Sequence, residues 1–151
     1  MKLSLSEVFS TLARAGGAPR ILCADDDPNV LELCAVALAK AGFVTDRATN
    51  GREVLEKVQE NKYAVILLDL AMPSVHGATI LSVVQRERPE LLRRIIVVTG
   101  MPDAVVNGMR VPVAAVLRKP VAVEALVAEV NNCSSRHAKR RALETDSTIR
   151  I

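Results

Sequence analysis

From Arg20 onward, short apolar runs alternate with segments whose apolar residues recur at helical spacing. The runs occupy residues 20–24, 43–47, 64–68, 95–99 and 114–117. In the third and fourth, AVILL and IIVVT, successive positions are apolar, as strands covered on both faces of a parallel sheet require. Between them, residues 30–40 place Val30, Leu31, Cys34 and Leu38 on one stripe before a stop at Gly42. Residues 52–60 repeat the pattern with Val54, Leu55 and Val58; a third segment, 78–88, ends before Pro89, and the last covers 122–131. Strand and helix alternate throughout, which predicts right-handed crossovers with helices on both faces: an α/β, doubly wound parallel sheet.

The two flanks read differently. Residues 1–19 hold Leu5, Val8, Phe9 and Leu12 at helical spacing, followed by Gly16-Gly17-Ala18-Pro19. This predicts a short amphipathic helix on a joint, docking on its own domain or a partner and not on a membrane. Residues 134–151 are polar and basic, either an extension of the last helix or an unstructured tail. The expected organisation is an extension over 1–19, one domain over 20–133 and a basic tail over 134–151.

Composition narrows the function classes. With 151 residues, half hydrophobic and a quarter charged, the chain has room for one globular domain. Its aromatic residues, Phe9, Phe43 and Tyr63, are too few to stack a single-stranded nucleic acid. The net charge of +3 sits mainly in the tail, where Arg136, Lys139, Arg140, Arg141 and Arg150 face Glu144 and Asp146. A neutral body with a basic tail is a weak case for nucleic acid, which is not expected as a partner. Cys23, Cys34 and Cys133 are odd in number and lack CxxC spacing, which fits reduced thiols in the cytoplasm. No apolar run reaches the roughly 18 residues of a membrane span, and the start has no signal-peptide core, so no membrane is expected.

In an open parallel sheet, ligands bind where the carboxyl ends of the strands meet. Those ends are polar here: Asp25-Asp26 after the first run, Asp69 after the third, Thr99 closing the fourth, and Lys119-Pro120 after the fifth. Converging carboxylates repel one another unless a cation neutralises them, and an all-oxygen set suits Mg²⁺. An aspartate beside such a metal can act as a nucleophile toward phosphorus. A lysine and a hydroxyl nearby would bind the remaining phosphoryl oxygens. The set points to phosphoryl transfer onto Asp69.

The segments ILCADDDPNV, VILLDLAMPSVHG, IIVVTG and VLRKPV, in this order over about residues 20–133, resemble the receiver domain of two-component response regulators. The resemblance implies a flavodoxin-like (βα)5 fold with strand order 2-1-3-4-5. It implies that Asp69 accepts a phosphoryl group from a histidine kinase or histidine phosphotransfer protein. Asp26 would be the more direct Mg²⁺ ligand and Asp25 would act largely through water, with Asp69 and the Ala71 carbonyl completing the set. Thr99 would be the switch hydroxyl and Lys119 its ion-pair partner, with Lys119-Pro120 typically cis.

Ordinary readings win elsewhere. Asp27 before Pro28 is a helix N-cap, not a third ligand. His76 is a solvated loop residue, Asn50-Gly51 a tight turn, and the run 136–141 a solvated helix end. The chain also departs from the family. The second switch position, usually Tyr or Phe, is Val116, and the shortened stretch from Thr99 to Lys119, with Gly108 and Pro112, predicts a short or irregular fourth helix. Ala71 and Met101 stand at the positions that tune phosphoryl lifetime and offer no acid or amide to position water, which predicts slow self-dephosphorylation.

The expected protein is thus a stand-alone, phosphoaccepting receiver that is not a turnover enzyme, with an unknown downstream protein target and with homodimerisation open. A receiver-like adaptor working mainly unphosphorylated is the alternative. A hydrolase with an aspartyl intermediate is weakened by Ala71, which stands where a second acid is needed.

Overall fold

The computed structural model describes residues 17–148. Five parallel strands, β1 (Arg20–Ala24), β2 (Val44–Ala48), β3 (Val65–Leu68), β4 (Ile95–Thr99) and β5 (Ala115–Arg118), form one sheet in the order β2-β1-β3-β4-β5. The helices between them are α1 (Pro28–Lys40), α2 (Gly51–Glu60), α3 (Gly77–Glu87), α4 (Asp103–Gly108) and α5 (Val123–Thr148), with a 3₁₀ turn over Pro89–Arg94 before β4. This is the flavodoxin-like (βα)5 fold and strand order expected from the sequence. The amphipathic stretch expected within residues 1–19 lies, up to residue 16, outside the described residues.

Alternate residues of the central strands feed two apolar layers, as period-2 side chains must. Leu22, Ile66, Leu68 and Val97 face α2 and α3 through Val54, Val58, Ile80 and Val84. On the other face Ile21, Cys23, Val65, Leu67 and Ile96 meet Leu31 and Leu38 of α1 and Leu126, Val130 and Cys133 of α5. Each such side chain contributes about 1.5–3 kcal/mol when fully buried. The framework is therefore stiffest along β1, β3 and β4, whose carboxyl ends carry the acids and Thr99.

Local chemistry starts the helices. Asp27 caps α1, its Oδ1 accepting the Asn29 amide at 2.9 Å, with Pro28 at the first helical position. The Asn50-Gly51 pair is not a tight turn: Asn50 is the N-cap of α2. Its Oδ1 accepts the Glu53 amide at 3.0 Å while Glu53 reaches back to the Thr49 amide at 3.2 Å, a capping-box arrangement shifted back by one residue. Gly51 is required there by space, since a Cβ would lie 2.2 Å from the Val75 carbonyl oxygen.

The last helix takes the first of the two readings left open for the tail, an extension of the helix and not an unstructured segment. Expected over 122–131, it runs on to Thr148. Its apolar stripe ends at Cys133, so periodicity marked the end of packing and not of the helix. Beyond Cys133, Ala138, Lys139, Arg140, Arg141, Ala142, Leu143 and Glu144 are strong helix formers, with no Gly or Pro to stop them.

Candidate functional site

The acids and the lysine expected at the carboxyl ends of the strands meet there. The Asp25 amide donates to the Ala48 carbonyl at 3.1 Å and the Asp69 amide to Ala24 at 3.0 Å, which fixes both residues just past β1 and β3. Asp25 and Asp69 are buried, Asp26 is exposed, and carboxylate oxygens of all three lie within 4.8 Å of one another. The Lys119 ammonium bridges the two buried acids, donating to Asp25 Oδ2 at 2.6 Å and to Asp69 Oδ2 at 3.2 Å. Burial pulls its pKa down, but the hydrogen bond to Asp25 and the charges of Asp69 and Asp25 outweigh this, and the net shift is upward.

Backbone amides hold the other carboxylate oxygens. Asp25 Oδ1 accepts the Asp27 amide at 2.9 Å, and Asp69 Oδ1 accepts the Ala71 amide at 3.0 Å. Each carboxylate thus keeps one oxygen on a loop amide and one on Lys119. Thr99 is fully buried at the end of β4, with its Oγ1 accepting the Met101 amide at 3.1 Å, while its carbonyl accepts the Lys119 amide at 3.0 Å. The Lys119-Pro120 bond is cis. Val116 is half-exposed on β5, opposite Val97 in register.

Three carboxylates face one ammonium, so the cluster keeps an excess of negative charge on hard oxygen donors. That donor set fits Mg²⁺, which takes few protein ligands and retains water or phosphate oxygens. His76, exposed at the start of α3, and His137, on α5, are not in the cluster. The site also opens onto an apolar cleft of about 500 Å³ between α1 and α5, walled by Leu31, Leu33, Cys34, Val121 and Leu126. Burial pushes the Cys23 thiol in this cleft up to about 12, with the neighbouring Cys34 adding to the rise.

Sequence reasoning passed over Arg118. Its guanidinium donates to the Met101 carbonyl and pairs with Asp103 at 3.2 Å, tying β5 to the loop that follows Thr99. The one available signal was a charged residue next to Lys119 on an edge strand, and it carries no period. α4 is as short as expected and contributes no buried residue.

An open parallel sheet with an acid cluster and a lysine at its carboxyl edge defines a phosphoryl- or metal-handling class of α/β domain. The chain belongs to the response regulator receiver domain family, whose model matches residues 21–131. The receiver protein CpdR of Brucella abortus is 32% identical over 113 residues, covering 74% of this chain and 92% of that protein. The transcriptional regulatory protein PrrA of Mycobacterium tuberculosis is 28% identical over 134 residues, and the chain spans 57% of its length. A CheY-like receiver from Methanospirillum hungatei shares the fold at TM-score 0.74 and 24% identity, over 81% of this chain and 98% of that one. TrrA of Thermotoga maritima, solved in complex with Mg²⁺-BeF, matches at TM-score 0.68 and 26% identity, over 76% and 98%. Receivers of this family bind Mg²⁺ at an acidic pocket. Among the described residues, no helix is long and apolar enough to cross a membrane.

Proposed function

We propose that this chain is a cytoplasmic phosphoacceptor that takes a phosphoryl group on Asp69 from the phosphohistidine of a histidine kinase or phosphotransfer protein. An Asp69 carboxylate oxygen attacks phosphorus as the P–N bond breaks and its electron pair returns to the imidazole. Lys119 then shifts its hydrogen bond from Asp69 Oδ2 to a phosphoryl oxygen, while Asp25 keeps the ammonium in place. The Thr99 hydroxyl, released from the Met101 amide, donates to another phosphoryl oxygen and draws the loop after β4 inward. Asp26, Asp69, the Ala71 carbonyl and, less directly, Asp25 would hold Mg²⁺, which when bound offsets the repulsion between the acids and the incoming phosphoryl group.

The modified form then binds a downstream protein with altered affinity, as a shift between two populated states. The observation that carries this reading is the Lys119 ammonium bridging Asp25 and Asp69 at 2.6 and 3.2 Å. The Mg²⁺-BeF complex of TrrA supports it.

To test it, the protein is incubated with Mg²⁺ and acetyl phosphate, and wild type is compared with Asp69→Asn by intact mass. One phosphoryl group per chain is expected, lost in the variant and without Mg²⁺. Modification that persists in Asp69→Asn overturns the assignment. A second reading, an adaptor working mainly unphosphorylated, draws on Val116, a small half-exposed residue where the family has its aromatic switch. It predicts partner binding unchanged by Asp69→Asn.

A further inference from the structure

The continuation of α5 past the family-matched residues builds a second concavity at the opposite end of the sheet. Ala114 leads into β5 and Arg94 into β4, and both line a cleft of about 780 Å³ between the Pro89–Arg94 turn and the far part of α5. This volume falls within the roughly 300–1,000 Å³ of small-molecule sites. Arg93 and Arg94 enter from the turn, and Arg136, His137, Arg140 and Arg141 from α5. The acids in the cleft are Glu90 and Glu144, and Glu90 is held by Arg88 at 3.0 Å.

Like charges are held close here. Burial lowers the His137 pKa, and Arg94 and Arg141 lower it further. Burial likewise lowers that of Arg94, with Arg88 and Arg141 adding to it against Glu90. The Arg94 guanidinium is oriented by its 3.2 Å bond to the Tyr63 carbonyl, and Arg136 leans on Glu129 at 3.4 Å. Guanidinium forks that converge on a concavity match phosphate oxygens bidentately. They line a pocket and not an extended ridge, which suits a compact anion better than a duplex backbone.

We propose that this cleft binds a phosphorylated small molecule of about nucleotide size, with two or more phosphate groups taken by Arg93, Arg94, Arg140 and Arg141. The site is independent of Asp69 chemistry. A ligand there joins α5 to the turn before β4, the strand that ends in Thr99.

The full chain is titrated calorimetrically with tripolyphosphate and, separately, with ATP, both in EDTA so that the acid cluster holds no metal. Saturable one-to-one binding is expected, with His137 imidazole NMR signals shifting at the same ligand ratio. The exposed double variant Arg93→Glu/Arg140→Glu should lose at least tenfold in affinity, while Arg52→Glu on α2 should lose none. Tighter binding of ATP assigns the ligand as a nucleotide; equal binding assigns it as a polyphosphate group alone. The proposal is overturned by a lack of saturation with either probe, by equal losses in the two variants, or by duplex DNA saturating the site where both probes fail. Circular dichroism of each variant separates lost binding from lost folding.

Discussion

Taking away the Lys119 ammonium leaves Asp25 and Asp69, each 5% exposed, to repel each other with only loop amides as partners. Lys119→Met should therefore cost about 1–3 kcal/mol in metal-free urea unfolding, the range for stranding buried polar partners. Added Mg²⁺ should recover most of this. Gly77 makes a second point about single atoms, because a Cβ there would lie 2.4 Å from Leu70 Cα, backbone that cannot swing aside. Gly77→Ala should lower stability by about 1–3 kcal/mol, read as a lower thermal midpoint. Asp69 chemistry is equally local. Ala71 and Met101 offer no side chain to position an attacking water, so phospho-Asp69 should last minutes or longer without a phosphatase, by intact-mass time course. A half-life of seconds would sink that expectation.

At the scale of elements, α5 behaves as two helices joined end to end. Up to Cys133 it is held by Leu126, Val130 and Cys133 in the core, while most of its further residues are exposed. His137 lies in the second part, partly buried, between Arg94 and Arg141 with Glu144 opposing. Its pKa is lowered on folding, so the unfolded chain binds more protons in the window below about pH 6.5. The His137 contribution to stability is present above that pH and is lost as pH falls through its folded value. His137→Gln should therefore lose less stability than wild type between about pH 7 and about pH 5, by urea midpoint, with a small difference because the imidazole is largely solvated.

For the molecule as a whole, the central strands join two apolar layers into one cooperative unit. Ile96, fully buried in β4, packs on the α1 and α5 side, and its neighbours Ile95 and Val97 pack on the other. Ile96→Ala should cost about 2–5 kcal/mol and still unfold in a single transition seen alike by near- and far-ultraviolet dichroism. Much of this layout was readable from the chain. AVILL and IIVVT announced strands covered on both faces, and polar residues closing the runs announced the acid cluster with Lys119. Strand order came through the family resemblance, since periodicity does not order parallel strands. What stayed hidden depends on distant partners. Arg118 finds Met101 and Asp103 only once β5 lies beside β4, and the arginines of the turn meet those of α5 only in three dimensions. The extension of α5 stayed one of two open readings because its second part carries no apolar stripe to count.

The central place of β1 has a consequence for synthesis. β1 emerges from the ribosome before the other four strands of the sheet, yet it lies between β2 and β3, and Ile21 must wait for Val65 to be made before its second side is closed. The nascent β1–α1–β2 unit therefore leaves the β3-facing edge of β1 and much of its apolar surface open until β3 arrives, the interval in which chaperones would be most needed. Asp25 waits longer still, because Lys119 follows all five strands. The contact that completes the acid cluster cannot form until all five strands have been made, so a chain released before Lys119 carries a folded-looking start with an unfinished site.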